Sequence, residues 1–117
     1  MSAATQFHAL IVAQVDAEAG GAIAVTFAVP ENLRTVFAFT PGQFLTLRAT
    51  IDGQDVRRSY SICSSLHQWR AEGAVQVGIR PVEGGVFSNW AVQHLHAGDT
   101  LQVMPPQGRF CVQRPRA

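Results

Sequence analysis

The stretch QFLTLRATIDGQDVRRSYS, residues 43–61, contains two strand-like segments joined by a turn signal. In the first segment, apolar Leu45 and Leu47 alternate with polar residues, which is the pattern of a β-strand with one buried face. Asp52-Gly53 is a strong signal for a two-residue hairpin turn. The stretch therefore predicts two antiparallel strands, and it places polar and aromatic side chains on the second of them.

Four more apolar runs in the chain are typical of strands: residues 7–16, 22–29, 74–82 and 100–106. One segment, NWAVQHL at 89–95, predicts a short helix, with Ser88 as its N-cap and Gly98-Asp99 beyond its end. Six strands, hairpin links and one short helix between strands five and six predict an all-β fold. The expected architecture is a six-stranded antiparallel Greek-key barrel.

The composition is that of a globular domain. The chain has 117 residues, of which 47% are hydrophobic and 15% charged, so it is long enough to bury a core without disulfides or metals. The net charge of +1 gives no general attraction to nucleic acid or to a membrane. No apolar run approaches the roughly 18 residues of a membrane span, and the N-terminus lacks the positive region of a secretory signal. We therefore expect a cytoplasmic protein.

The candidate metal ligands are scattered. Cys63 and Cys111 are far apart and belong to no C-x-x-C motif, so each is expected to be a simple core or near-surface residue. His94 and His96 lie two residues apart, which is not the helical spacing that two ligands of one metal share. No metal site is expected.

Arg58 and Tyr60 lie two residues apart and are predicted to project from the same face of a strand. All nine basic residues are arginine, whose planar guanidinium suits bidentate contact with phosphate. An aromatic ring one pleat away could stack on a flat heterocycle, so the pair matches two ends of a nucleotide-like ligand. Ser61 lies on the opposite face or at a bend. The alternative is a solvent-facing arginine beside a tyrosine at the barrel rim.

The stretch EGGVFSNW, residues 83–90, is a second candidate for anion binding. Two glycines let the backbone come close to a ligand, and a helix is predicted to begin directly after them. Free amides at a helix N-terminus attract phosphate, and the Ser88 hydroxyl would be a further donor. The alternative is an ordinary glycine turn before a capped helix.

Five short motifs, in order along the chain, carry a family resemblance. Residues 58–61 resemble an Arg-x-Tyr-Ser signature and residues 84–88 a Gly-Gly-x-x-Ser phosphate motif, with further matches at 41–44, 98–99 and 106–110. Together they resemble the FAD-binding domain of the ferredoxin–NADP reductase superfamily. Within it, residues 84–110 are most similar to the reductase components of phenylacetyl-CoA epoxidases, which serve phenylacetate degradation. Related oxygenase reductases and flavohaemoglobins share much of this stretch.

The resemblance implies roles for particular residues. Arg58 would hold the FAD pyrophosphate, Tyr60 would stack on the isoalloxazine, and Ser61 would lie by the reactive flavin nitrogen as the catalytic candidate. Ser88 and the amides near Gly85 would take further phosphate oxygens. The other cofactor-binding candidates are Ser59, Ile79, Arg80, Gly84, Val86 and Phe87.

The resemblance also implies an FAD-dependent NAD(P)H oxidoreductase. Hydride would pass from NAD(P)H to FAD, and single electrons would go to a [2Fe–2S] centre serving an oxygenase, here phenylacetyl-CoA epoxidase. The sequence shows neither a Rossmann fingerprint nor four cysteines for a cluster. We therefore expect an FAD-binding barrel at 1–113 and, at 114–117, the start of a linker to a missing NAD(P)-binding domain. A ferredoxin-like domain would be missing too, so the chain is not expected to be competent alone.

A different class remains open from the residues alone: a non-enzymatic β-barrel that binds nucleic acid or another protein through arginines and exposed aromatics. The near-neutral charge and the absence of lysine argue against strong nucleic-acid binding. Visible absorbance separates the two hypotheses, because a flavoprotein is yellow and an interaction module is colourless.

Overall fold

The computed structural model describes residues 6–108. The six strands are β1 (His8–Ala17), β2 (Ile23–Ala28), β3 (Phe44–Ile51), β4 (Gln54–Ser61), β5 (Ala74–Ile79) and β6 (Thr100–Gln107). The helices are α1 (Arg34–Phe37), α2 (Leu66–Glu72) and α3 (Val86–His94). The predictions for Arg109, Phe110, Cys111 and the linker at 114–117 lie outside the described residues.

The strands form one antiparallel sheet in the order β4-β3-β6-β1-β2-β5. The predictions of an all-β fold, of six strands and of a helix between β5 and β6 are confirmed. After β2 the chain crosses to the opposite edge of the sheet, where β3 and β4 form a hairpin. The last strand, β6, lies between β3 and β1. The two ends of the sheet order, β4 and β5, are its edges.

The sheet is not a closed barrel, and in this respect the prediction was too specific. Between residues 6 and 108, its two edges are bridged only at Ile62 and Val77, where the Cys63 amide also donates to the Gln76 carbonyl at 2.9 Å. Because β4 ends at Ser61 and the chain then turns into α2, the rest of the two edges stays unpaired. This bridge makes β5 a neighbour of β4, and the chain then returns so that β6 lies beside β3. Strands β3 to β6 therefore form a Greek key.

The β3–β4 hairpin forms as predicted. Asp52 has φ 50° and Gly53 has φ 78°, the left-handed values that a type I′ turn requires at both central residues. The turn fixes the register, so that Leu47 lies opposite Arg58 and Leu45 opposite Tyr60.

The core lies inside the curved sheet and is closed by α1 and α3. Its largest completely buried side chains are Phe27, Phe37, Phe87, Leu10, Leu45, Leu47 and Ile79. Within residues 6–108, no helix is long and apolar enough to cross a membrane. The same part of the chain brings together no three metal-ligating side chains.

Helix α2 is an element that the prediction of a single helix missed. Ser65 caps it by accepting a hydrogen bond from the Gln68 amide at 3.0 Å. Gly73 ends it in the left-handed region at φ 65°. Both capping residues stand in the sequence, but seven residues are too few for a helical period to show. The short helix α1, in the segment before β3, is likewise absent from the prediction of a single helix.

Candidate functional site

Strand β4 places Arg58 and Tyr60 on the face of the sheet that carries the core. Their partners across the hairpin, Leu47 and Leu45, are completely buried, and directly opposed residues of an antiparallel pair share a face. Arg58 is nevertheless exposed and Tyr60 half-buried, because they lie at the unpaired edge. The prediction that both residues share one face is confirmed.

The charge of Arg58 is available to an anion. Arg58 Nη1 donates to the Arg57 carbonyl at 2.6 Å, and in the described part of the chain its guanidinium forms no ion pair with a carboxylate. Arg57 and Arg48 on the opposite face both pair with Asp55, at 3.2 and 3.0 Å. These contacts, with that of Arg57 as the largest cause, hold the pKa of the Asp55 carboxyl below its usual range.

The Tyr60 ring packs against an aromatic residue of α3. Its ring centroid lies 5.8 Å from that of Phe87, and Phe87 lies 5.6 Å from Trp90 in an edge-to-face contact. Burial raises the pKa of the Tyr60 phenol, and the positive charge of Arg58 partly opposes this. Tyr60 is therefore a neutral phenol at physiological pH, and tilted and edge-to-face contacts of an aromatic cluster hold its ring in place.

The glycine stretch forms a tight turn before α3. The Gly85 amide donates to the Val82 carbonyl at 2.9 Å, and Gly84 has φ 77°. The Asn89 side chain reaches back from the helix and donates to the carbonyls of Val82 at 2.9 Å and Gly85 at 2.8 Å. The amides of this turn and of the first helical turn are thereby held in one orientation.

Helix α3 begins earlier than predicted. Its N-cap is Gly85, not Ser88, and Ser88 is the third helical residue. The Ser88 hydroxyl is buried inside the turn, where it accepts from the Val82 amide at 3.4 Å and donates to the Gly85 carbonyl at 3.5 Å. The first amides of the helix, from Val86 on, have no acceptor within it and give this end a partial positive charge.

Two adjoining grooves connect the glycine turn with Arg58. The first groove has a volume of about 390 Å³ and lies between the tip of the β3–β4 hairpin on one side and the glycine turn with α3 on the other. The other, of about 420 Å³, runs along β4 as far as Arg58. Ile51, Asp52 and Val86 line both grooves. The fold thus brings the two separately predicted phosphate elements to one continuous surface.

The remaining predicted residues lie elsewhere around the site. Ser59 and Ser61 face the outside of the sheet, where the Ser59 hydroxyl lies 2.9 Å from that of Thr46. Ile79 and Phe87 have their side chains in the core, so any contact they make with a cofactor is through the main chain. Arg80 lines neither groove; its Nη1 lies 3.6 Å from where a Cβ on Gly20 would stand.

Sequence reasoning missed two features of this site. Asn89 was interpreted only as part of the helix, although an amide side chain in a first helical turn can satisfy carbonyls of the preceding loop. Ile51 and Asp52 were interpreted only as hairpin residues. That they form a groove wall depends on how α3 packs against the hairpin, and no local pattern carries this information.

The Gly85→Ala variant is expected to destabilise the turn. A Cβ there would lie 2.5 Å from Ser88 Oγ and 2.6 Å from Val82 Cγ2, so the loop or helix must shift, at a cost of about 1–3 kcal/mol in unfolding free energy. Urea unfolding measures this cost. Gly78→Ala is the matched control, because a Cβ at Gly78 meets no atom within 4 Å. Equal stability of the two variants would contradict the packing described.

Residues 12–111 match the family model of the oxidoreductase FAD-binding domain. The chain belongs to this family. It is 47% identical over 109 residues to a subunit of the 1,2-phenylacetyl-CoA epoxidase of Escherichia coli, a match that covers 93% of this chain and 30% of that protein. It is 40% identical to the ferredoxin reductase component of the 3-ketosteroid-9-alpha-monooxygenase of Rhodococcus rhodochrous, over 86% of this chain and 28% of that protein. The chain thus spans about 30% of the length of these relatives.

Solved structures share the fold of this family. The FAD/NAD-binding domain of a nitric oxide dioxygenase from Vibrio cholerae superposes with a TM-score of 0.74 at 20% identity, covering 95% of this chain and 48% of that one. A ferredoxin–NADP⁺ reductase from Neisseria gonorrhoeae, solved with FAD and NADP, superposes with a TM-score of 0.71 at 19% identity, covering 90% and 39%. The cofactor of the family is FAD, and the described residues fit it. An arginine without a carboxylate partner among residues 6–108 and an amide-rich turn line adjoining grooves. The Tyr60 ring lines neither groove but lies on the same face of β4 as Arg58, two residues further along the strand.

Proposed function

We propose that this chain is the flavin-binding part of a reductase that takes electrons from NAD(P)H and delivers them, through FAD and an iron–sulfur centre, to an oxygenase. Phenylacetyl-CoA epoxidase is the proposed oxygenase. The observation that carries the proposal is the 47% identity, over 93% of the chain, to the E. coli epoxidase protein. The NAD(P)-binding and ferredoxin-like parts belong to the proposal and not to the described residues.

The geometry supports separate roles for the two ends of the surface. Arg58 is exposed, carries a permanent charge without a carboxylate partner among residues 6–108, and faces the groove that Val86 also lines. We assign it to the pyrophosphate of FAD. The amides of Gly84 and Val86 would contact further phosphate oxygens, since both residues line the first groove and Asn89 braces the turn that carries them. The Gly85 amide is already engaged by the Val82 carbonyl, so a contact from Gly85 to phosphate stays a prediction from the motif.

Ser88 takes a different part in the proposed site. Its hydroxyl is already engaged within the turn, so the geometry favours a role in shaping the phosphate loop. A direct hydroxyl contact to phosphate stays a prediction from the motif.

The other end of the surface is suited to a flat ring. Tyr60 is half-buried, with Phe87 beneath it, so it offers a fixed aromatic surface for stacking. Ser61 follows at the exposed end of β4, and its side chain faces the side of the sheet opposite to Tyr60. We therefore propose that Ser61 lies by the reactive nitrogen through its main chain. When bound, FAD supplies the conversion of a two-electron hydride donor to single-electron transfer. The residues of the chain hold and orient it, and their position governs how hydride can approach.

A chimera tests the proposed function. The aligned segment of the E. coli epoxidase protein is replaced with this chain, and the purified hybrid is combined with the other epoxidase components. FAD content, oxidation of NADH and of NADPH, and epoxidation of phenylacetyl-CoA are measured. We expect the hybrid to hold FAD and to support epoxidation, because the exchanged unit has the same fold and cofactor.

The hybrid carrying Arg58→Ala is the matched control and should bind FAD about ten- to a hundredfold more weakly. A third hybrid carries the corresponding segment of the 3-ketosteroid monooxygenase reductase. Its rate of epoxidation shows whether the oxygenase distinguishes one flavin domain from another. A hybrid that binds FAD and is reduced by NAD(P)H, yet supports no epoxidation, would remove the epoxidase from the proposal. A hybrid that binds FAD but is not reduced would contradict the reductase role itself.

A further inference from the structure

Gln76 in β5 holds the residues that follow Ser61 through both its main chain and its side chain. The Gln76 carbonyl accepts from the Cys63 amide at 2.9 Å, and the Gln76 amide donates to the Ser64 hydroxyl at 3.0 Å. The Cys63 thiol donates to Gln76 Oε1 at 3.4 Å. One glutamine thus fixes two successive residues of the chain as it leaves β4.

These contacts lie at the seam of the sheet, which we define as residues 62–64. In the described part of the chain, this is where the edges β4 and β5 are bridged. Ile62 is also held from the other side, because its amide donates to the Gln43 carbonyl at 3.0 Å. Tyr60 and Ser61 come directly before the seam, so their distance from β5 depends on how firmly the seam is held.

The orientation of the Gln76 amide is fixed by a partner in the next strand. Its Nε2 donates to the hydroxyl of Thr26 at 2.9 Å, and Thr26 lies directly opposite in β2 with 7% of its surface exposed. With Nε2 occupied in this way, Oε1 points to Cys63. Burial raises the pKa of the Cys63 thiol, so at neutral pH the thiol keeps the proton that it donates.

The strand structure of β5 and β2 does not by itself require glutamine at position 76 or threonine at position 26. The neighbours of Gln76 in β5 are Val75 and Val77, both completely buried, and valine has a higher strand propensity than glutamine. A partly buried polar pair such as this one costs free energy unless its hydrogen bonds are made. Here the amide is satisfied on both sides, and the result is a directional link that an apolar pair could not provide.

We propose that Gln76, oriented by Thr26, is a positioning residue for the ring end of the flavin site. By fixing the seam, it sets where Tyr60 and Ser61 stand relative to β5, and hence the surroundings of the flavin ring. This rests on the proposed placement of the ring at Tyr60 and Ser61.

The first test uses the chain reconstituted with FAD. Gln76→Met and the isosteric Thr26→Val should each shift the visible absorbance bands and change the flavin fluorescence. They should also weaken FAD binding by about tenfold, as expected for the loss of one or two hydrogen bonds. Thr26→Ser, which keeps the hydroxyl, should retain the wild-type spectrum. Gln102→Met, at an exposed position of β6, is the matched control for glutamine removal.

The second test needs no flavin. Cys63 is exposed and its thiol donates to Gln76 Oε1, so in a Cys111→Ser background the rate at which Cys63 reacts with a thiol reagent reports whether this contact of the seam is made. Gln76→Met and Thr26→Val should raise this rate about fivefold, the factor that one lost hydrogen bond of about 1 kcal/mol would give. Thr26→Val is isosteric, lies on the face of β2 opposite to core residues Val25 and Phe27, and gives the answer even if Gln76→Met fails to fold.

The outcomes separate this inference from the proposed function. If both variants keep the wild-type spectrum, FAD affinity and thiol reactivity, Gln76 is not a positioning residue. If thiol reactivity rises but the bound flavin is unchanged, the seam is held as described and the ring does not lie beside it, which also overturns the inference. A wild-type chain that binds no FAD would instead overturn the proposed function.

Discussion

The Arg58→Ala variant is expected to bind FAD about ten- to a hundredfold more weakly than the wild type, because a hydrogen bond to a charged partner contributes about 1.5–3 kcal/mol. Arg58 is exposed and has no carboxylate partner among residues 6–108. Its removal therefore leaves no buried charge behind, and the melting temperature of the apoprotein should not change. Titration of the apoprotein with FAD, followed by flavin fluorescence, measures the affinity.

Arg57→Ala is the matched control for this variant. Arg57 is the same residue type one position away, but it faces the outside of the sheet and pairs with Asp55. Its removal should leave FAD affinity within about twofold, because an exposed ion pair contributes little. Arg58→Lys should recover part of the affinity, since it restores the charge without the bidentate fork. Equal losses in Arg57→Ala and Arg58→Ala would mean that general charge, and not a specific contact, attracts the cofactor.

The parts of the fold that the sequence predicts are those with local causes. The β3–β4 hairpin follows from an Asp-Gly turn between alternating segments, and the register of that turn puts Arg58 and Tyr60 on one face. The strands and α3 are long enough for the repeat of apolar residues along each element to be visible in the sequence. These features depend on neighbours within a few residues, and a sequence contains that information directly.

The parts that the sequence does not predict depend on packing between distant segments. Whether the sheet closes is decided by where β4 ends and how the chain then enters α2, and within residues 6–108 only Ile62 reaches β5 as a bridge. Ser88 looks like an N-cap by residue type, but the turn at Gly85 begins the helix earlier. Asn89 and Gln76 carry no motif, and their importance appears only when their hydrogen-bond partners are known.

The two candidate phosphate-binding elements lie on a strand and at a helix start, as predicted, but no local pattern shows that they meet. Arg58 and the glycine turn are brought to adjoining grooves because α3 packs across the end of the hairpin, with Val86 lining both grooves. The side chain that anchors this packing is Phe87, which the motif resemblance places among the cofactor contacts.

Phe87→Ala is therefore expected to have a large effect of a different kind. Phe87 is 1% exposed and lies between Tyr60 and Trp90, at 5.8 and 5.6 Å between ring centroids. Removing a buried phenylalanine costs about 3–5 kcal/mol, through lost burial and the cavity left behind. Against a typical domain stability of about 5–15 kcal/mol, this would unfold a measurable fraction of the protein. Urea unfolding of the apoprotein measures the loss.

Two comparisons decide whether Phe87 acts through packing. Val86→Ala removes an apolar side chain one residue earlier in α3, but Val86 is 50% exposed, so the loss should be within about 0.5 kcal/mol. The double variant Tyr60→Ala/Phe87→Ala should be more stable than the sum of the single effects predicts, by about 0.5–1.5 kcal/mol, the coupling typical of an aromatic pair. If the two substitutions are additive, Tyr60 does not rest on Phe87. If Phe87→Ala leaves stability unchanged but abolishes FAD binding, the side chain touches the cofactor directly, and the helix is not anchored in the core in the way its burial indicates.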